Sequence, residues 1–231
     1  MNGISSDNRT RFSLALILLL AVAVIVLFES PYSASNLTIV PDSVEYATSA
    51  WRVVNEGRYA ITINGAAYPP RYPPGFALIA LAPAYLFSGP DPGHGIYGIL
   101  FWSVIGVLAA FAIGQRLGGQ SGGLMAGAAV LLLPGYRHYS QVIMSDATCT
   151  AVTLVLLLVY LRLTAAPNNW KGWLGAGILA ALVASIRPTS LSATLPFLFL
   201  AICIQPRRKL LFNGLFFLLP IMLLGASQMF Y

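Results

Sequence analysis

The sequence predicts an all-α, polytopic membrane protein. Of its 231 residues, 58% are hydrophobic and only 9% are charged, and the mean hydropathy is +0.77. Uncharged runs recur about every 20 residues, the length that crosses a bilayer as a helix. The net charge of +6 does not indicate nucleic-acid binding, because the basic residues stand singly or in one cluster between apolar runs, where they encode orientation.

The first apolar run, residues 12–28, follows Arg9 and Arg11. It could be a signal peptide with a small-residue site near Ala34, but it is long for a signal core and just long enough to cross. We therefore predict an uncleaved first span. In either case the residues after it lie outside.

The run at 72–90 is interrupted by Pro73, Pro74, Pro83 and Pro90. Only residues 75–88 can form a helix, about 14 residues where about 17 are needed to cross. If this helix lies on the membrane surface, eight basic residues fall inside and five outside, as the positive-inside rule requires; if it crosses, only four fall inside. A surface helix at 75–88 is therefore predicted.

The whole chain, residues 1–231, is thus predicted to be one membrane domain of about seven spans. The outer loop 29–94 separates the first span from six further spans in 95–231. The later apolar runs are 92–115, 117–136, 147–161, 172–186, 188–206 and 210–231. Gly119, Gly123 and Gly127 stand four apart, which favours close packing of the third span. Six of the seven acidic residues then lie on the outer side.

Within the outer loop, PDSVEYATSAWRVVNEGRY predicts a second surface helix near 42–57, begun by Pro41 and Asp42 and stopped by Gly57. Its predicted apolar face carries Val44, Ala47, Trp51 and Val54. The segment Tyr59 to Asn64 is predicted to be extended. Next comes PPRYPPG, a rigid segment that holds Arg71 between two proline pairs, and a fixed cation suggests a fixed anion.

The order of these features resembles the GT-C glycosyltransferases. An Asp opens an amphipathic helix after the first span, a basic residue precedes Pro-Pro and a juxtamembrane helix, and an Asp follows the third span in PGYRHYSQVIMSDA. The likeness is greatest to the branch of dolichyl-phosphate-mannose protein mannosyltransferases and lipid A aminoarabinose transferases. It covers roughly residues 10–165.

The resemblance implies an enzyme of a prokaryotic inner membrane that takes a sugar from a polyprenyl-phosphate carrier and transfers it, with inversion, on the non-cytoplasmic face. Asp42 would be the catalytic base and Arg71 would bind the donor phosphate, while the helix at 75–88 lines the lipid chain. The family's usual residue in place of Arg71 is lysine; arginine keeps the charge and adds a bidentate fork. Asp146 would be a second catalytic carboxylate that orients the sugar or, with Asp42, holds Mg²⁺ or Mn²⁺.

Simpler interpretations stand beside these roles. Asp-x-x-Glu at 42–45 is nearly a capping box, so Asp42 and Glu45 could serve the helix start, and Asp146 could cap its own helix. Interface anchoring is the default for Arg137, His138 and Arg187. The remaining candidate substrate-binding residues are Glu45, Tyr72 and Arg137, although the tyrosines of this region and Trp51 also fit an aromatic belt.

Family members usually run to twice this length, so a second chain could supply the later half. One rival function is a transporter or lipid-handling protein, although no predicted span carries an acid in its middle. Another is a non-catalytic scaffold. No Walker loop, HExxH, GxSxG or dinucleotide fingerprint is present, and GGQSGG at 118–123 predicts a turn.

Overall fold

The computed structural model of the chain describes residues 22–23, 40–89, 91–166, 169–195, 198–199, 203 and 207–228. The described part is mostly helical, with α1 Pro41–Glu56, α2 Ala82–Ser88, α3 Gly95–Leu132, α4 Pro134–Tyr139, α5 Ser145–Ala165, α6 Trp170–Ile186 and α7 Arg207–Gln228. The predicted spans at 12–28 and 188–206 lie largely outside the described residues, apart from a 3₁₀ segment at Pro188–Thr194.

Helix α1 forms close to its predicted bounds because both of its ends carry local signals. Pro41 is its first residue, where a missing N–H costs nothing. Gly57 follows it with φ 66°, and its N–H donates to the Val53 carbonyl at 3.1 Å.

The buried face of α1 agrees only in part with the predicted one, since Ala47 is buried and Trp51 and Val54 pack against the core. Val44 is half exposed, whereas Ser43, Tyr46, Ala47, Ser49 and Ala50 are buried. The prediction assumed that lipid covers the most apolar face. In the structure the helix packs on the segment 76–88, where small residues allow close approach.

A short β-hairpin follows α1, so the described chain is not strictly all-α. Strand β1, Ile61–Ile63, pairs antiparallel with β2, Ala66–Tyr68. Asn64 and Gly65 form the turn with φ 51° and 81°, as an Asn-Gly hairpin requires. Arg52 Nη1 donates to Thr62 Oγ1 at 2.7 Å and fastens the hairpin to α1.

The proline-rich segment leads into a π-helical turn, Ala77–Leu81, that continues directly into α2. This turn packs against the start of α3 so closely that a Cβ at Gly98 would collide with the Ala80 carbonyl. Trp102 Nε1 donates to the Ile79 carbonyl at 2.9 Å. The helix expected at 75–88 is therefore present, and its position on the membrane surface stays a prediction.

Helix α3 reverses direction within its length. Gly118 and Gly119 leave helical geometry, and Gly119 takes φ 68°, which glycine adopts without strain. The two arms then touch through Gly114 and Gly122, where an added Cβ would strike the opposite backbone, and through Gly123, where it would lie 3.0 Å from the Phe111 carbonyl oxygen. The turn expected in GGQSGG and the close approach expected at Gly123 both occur here.

Among the described residues, two helical stretches, Pro92–Leu132 and Ser145–Ala165, are long and apolar enough to cross a membrane. Three apolar helices are shorter: Ala77–Ser88, Trp170–Ile186 and Phe212–Leu224. The count of seven spans thus remains a prediction. Helix α5 packs between α3 and α6, and α7 packs on α6.

Candidate functional site

Arg71 and Asp42 are in contact in the folded chain. Arg71 Nη2 lies 3.3 Å from Asp42 Oδ1, and Arg71 Nε lies 4.0 Å from a Glu45 oxygen. The side chain of Arg71 is 69% exposed and that of Asp42 35% exposed. The cation is therefore held beside two carboxylates while most of its guanidinium faces outward.

Glu45 holds the backbone that carries Arg71. Its Oε1 accepts hydrogen bonds from the backbone N–H of Arg71 and, at 3.3 Å, from that of Tyr72. The capping-box interpretation is wrong, since the N-cap of α1 is Val40, which places Asp42 second and Glu45 fifth within the helix. Among the described contacts, the hydrogen bonds of Glu45 all go to the Arg71 segment.

Tyr72 is packed against Arg71 and the interior. Arg71 Nη2 donates to the Tyr72 hydroxyl at 2.7 Å, and the guanidinium carbon lies 4.8 Å from the ring centroid. The ring stacks on Tyr46 at 4.7 Å, and the Tyr59 hydroxyl donates to the Tyr72 carbonyl at 2.8 Å. Burial and a hydrogen bond to Asp42 raise the pKa of the Tyr72 hydroxyl above its ordinary value.

Asp146 is paired with Arg187, for which the sequence predicted interface anchoring. Its Oδ1 contacts Nη1 of Arg187, the residue that follows α6. Burial alone would lower the pKa of Arg187, but the hydrogen bond and the charge of Asp146 raise it. The capping alternative for Asp146 is also wrong, because the N-cap of α5 is Met144 and Asp146 lies inside the first turn.

Tyr46 connects the two arginine–carboxylate pairs. It is 4% exposed, and its hydroxyl donates to Ser145 Oγ at 3.4 Å, next to Asp146. Burial raises the pKa of Tyr46, and the charges of Arg187, Asp42 and Asp146 all act on its hydroxyl. Both predicted catalytic aspartates therefore lie around one buried tyrosine, which the sequence interpretation did not single out.

A cavity of about 310 Å³ opens beside Asp42. Its wall is formed by α1 and by the segment around α4: Val40, Pro41, Asp42, His138, Tyr139, Val142 and Met144. His138 and Tyr139, which the sequence favoured as interface residues, thus share a cavity with the predicted base. Arg137 is exposed and is not among the described residues that line this cavity, so its role in substrate binding stays a prediction.

The arrangement does not fit a ready-made metal site. Among the described residues, no group of three or more His, Cys, Asp or Glu side chains converges. Asp42 and Asp146 are each neutralised by an arginine instead. Hard divalent cations need several oxygen ligands, and the described chain offers no such set.

Comparisons with known proteins place this geometry in context. The family model of the dolichyl-phosphate-mannose-protein mannosyltransferases matches residues 71–230. The fold is similar to the crystal structure of ArnT from Cupriavidus metallidurans bound to undecaprenyl phosphate, with a TM-score of 0.72 and 17% identity. The match covers 92% of this chain and 41% of that one. Comparison with curated protein sequences gives no match.

Proposed function

Since the chain belongs to the dolichyl-phosphate-mannose-protein mannosyltransferase family, we propose that it is a membrane glycosyltransferase acting on a polyprenyl-phosphate-linked sugar. The sugar passes to an acceptor on the non-cytoplasmic face of an inner membrane. The chain spans about two fifths of the ArnT structure it resembles, so a second chain that completes the site is part of this proposal. The contact between Arg71 and Asp42 is the observation that supports it most directly.

Arg71 is suited to bind the donor phosphate. Its hydrogen bonds to Asp42 and Tyr72 both use Nη2, so among the described contacts Nη1 makes no hydrogen bond. The planar guanidinium can therefore offer a second pair of N–H groups to phosphate oxygens. Because Glu45 and the prolines fix the backbone, little further ordering is needed when the phosphate arrives.

Asp42 is suited to accept the proton of the acceptor. It borders the cavity, whose volume of about 310 Å³ is at the small end of ligand sites and suits one sugar ring. A phosphate on Arg71 competes with Asp42 for the same cation. Donor binding therefore weakens the Arg71–Asp42 pair and leaves the carboxylate better able to take a proton.

The reaction is a direct displacement at the anomeric carbon. The acceptor hydroxyl gives its proton to Asp42 as its oxygen bonds to that carbon, and the bond from the carbon to the phosphate oxygen breaks. The electron pair leaves with the polyprenyl phosphate, whose added negative charge Arg71 stabilises. The configuration at the anomeric carbon is inverted. The exposed Leu78, Leu86 and Phe87 offer apolar surface for the polyprenyl chain.

Two measurements test this function, one of which does not depend on the sugar. Purified full-length chain is mixed with radiolabelled undecaprenyl phosphate, and membranes containing the chain receive undecaprenyl phosphate carrying radiolabelled mannose. We expect the wild type to bind the lipid and to label membrane acceptors. Asp42→Asn should bind the lipid but lose transfer by about 10²- to 10⁴-fold, whereas Arg71→Ala should lose both.

Arg58→Ala is the matched control, because Arg58 is an exposed arginine of the same outer region. It should leave both measurements unchanged. A wild type that binds no undecaprenyl phosphate would contradict the proposed function and favour a scaffold. Lipid binding by the wild type without any sugar transfer would favour a transporter or lipid-handling protein.

A further inference from the structure

The pairing of Arg187 with Asp146 is fixed by backbone as well as by charge. The two residues are 41 positions apart, and Arg187 stands where α6 ends, with φ −153° and ψ 98°. Pro188 follows, and a residue before proline is driven out of the helical region. Arg187 is therefore turned away from α6 and toward the start of α5, in the same way that prolines hold Arg71.

Arg187 engages only half of the Asp146 carboxylate. Oδ1 contacts the guanidinium, whereas Oδ2 is buried and has no hydrogen-bond partner among the residues that the structure describes. Buried carboxylate oxygens are nearly always paired, so an unpaired one indicates that a donor group arrives from elsewhere. A hydroxyl group of a bound sugar is a donor of the right kind.

The location of this oxygen connects it with the site described above. Asp146 adjoins Ser145, which accepts a hydrogen bond from Tyr46, and Tyr46 stacks on Tyr72 beside Arg71. A path of side-chain contacts, completed by the peptide bond between Ser145 and Asp146, thus connects one arginine–carboxylate pair with the other. A shift of Arg187 would move Asp146 relative to Arg71.

We propose that Arg187 is a positioning residue that holds Asp146 by one carboxylate oxygen, so that the other accepts a hydrogen bond from a sugar hydroxyl of the substrate. This inference rests on the proposed function. It assigns to Arg187 no contact with the donor phosphate, so loss of Arg187 should affect turnover while donor-lipid binding persists.

The first experiment separates these effects. Arg187→Gln, Arg187→Lys and the control Arg58→Gln are compared with the wild type in undecaprenyl phosphate binding and in mannose transfer. We expect Arg187→Gln to lower kcat by about 10- to 100-fold, the range for a lost charged hydrogen bond, with lipid affinity unchanged. Arg187→Lys should restore part of kcat, which a purely structural role would not predict.

A second experiment measures the infrared band of the Asp146 carboxylate. Protein labelled with ¹³C at the aspartate carboxyl carbon is compared with Asp146→Asn by infrared difference spectroscopy, which isolates the Asp146 band. Arg187→Gln should shift that band, Arg187→Lys should return it partway, and Arg58→Gln should leave it in place.

An unmoved band in Arg187→Gln overturns the proposal, and so does a moved band with unchanged kcat. Failure of the wild type to bind undecaprenyl phosphate removes the proposed function and this inference together. If the wild type binds the lipid and transfers mannose but Arg187→Gln has the same kcat, the inference about Arg187 is wrong and the proposed function stands.

Discussion

The guanidinium of Arg71 lies 3.3 Å from the carboxylate of Asp42, although 29 positions of chain separate the two residues. The pair joins the proline-rich segment to the first turn of α1. A cation and a base that are already in contact can be separated by one incoming anion, so the geometry ties donor binding to proton acceptance.

Arg71→Lys keeps the positive charge but loses the planar fork. We expect undecaprenyl phosphate to bind about three- to tenfold more weakly than to the wild type, and Arg71→Ala to bind more weakly still. The measurement is a titration of the purified chain with radiolabelled lipid, with Arg58→Lys as control. Equal affinities for Arg71→Ala and the wild type would show that the phosphate binds elsewhere.

Glu45→Ala removes the acceptor of two backbone N–H groups in the Arg71 segment. The segment becomes less ordered, and donor affinity should fall about tenfold, as expected for a lost charged hydrogen bond. Glu56→Ala is the control, because Glu56 is an exposed carboxylate of the same helix that pairs with Arg52 and not with the Arg71 segment. If the helical circular dichroism falls in Glu45→Ala while lipid affinity holds, the residue serves the helix rather than the site.

Gly98→Ala forces a methyl group into the Ala80 carbonyl, which belongs to the π-helical turn. We expect a loss of roughly 1–3 kcal/mol in unfolding free energy, the usual result of overpacking. Gly175→Ala in α6 is the control, because a Cβ there meets nothing within 4 Å. Thermal unfolding in detergent compares the two, and equal midpoints would contradict the packing.

Because Tyr46 is buried, we expect the folded chain to lose stability at alkaline pH. The pKa of Tyr46 is raised in the folded chain, mainly by burial, so the unfolded state loses the proton first, above about pH 10. The stabilisation is complete below that pH and declines as the pH rises toward the folded value. The difference in unfolding midpoint between pH 9 and pH 11 should be smaller in Tyr46→Phe than in the wild type. An identical difference would place Tyr46 in contact with water.

Ser121 tests the predicted sidedness, because it is exposed beside the reversal in α3 and is predicted to lie inside. Cys203 is first replaced by serine, since it is exposed, whereas Cys149 is buried. Ser121→Cys should resist a membrane-impermeant maleimide in intact cells and react after lysis. Labelling in intact cells would reverse the orientation and move the site to the other face.

Local signals in the sequence were enough for part of this architecture. Pro41 and Gly57 mark the two ends of α1. Asn64 was predicted to be extended, whereas it forms a tight turn with Gly65, and the second strand was not predicted. Prolines around Arg71 predicted a fixed cation. In each case the decisive atoms lie within a few residues of one another.

The errors came from contacts between distant segments. Glu45 looked like part of a helix cap because its partners, the amides of Arg71 and Tyr72, lie 26 and 27 positions away. The Arg187-Pro188 step was a usable signal for a second held arginine, but its partner Asp146 could be found only in the folded chain.

Glu45 accepts a hydrogen bond from the backbone N–H of Arg71. Its contact with the side chain is longer, at 4.0 Å to Nε. The attachment therefore needs a backbone N–H at position 71 but no particular side chain, so arginine and lysine can be exchanged without detaching the segment. A single substitution at position 71 can therefore change how the chain recognises an anion while the backbone stays attached to α1.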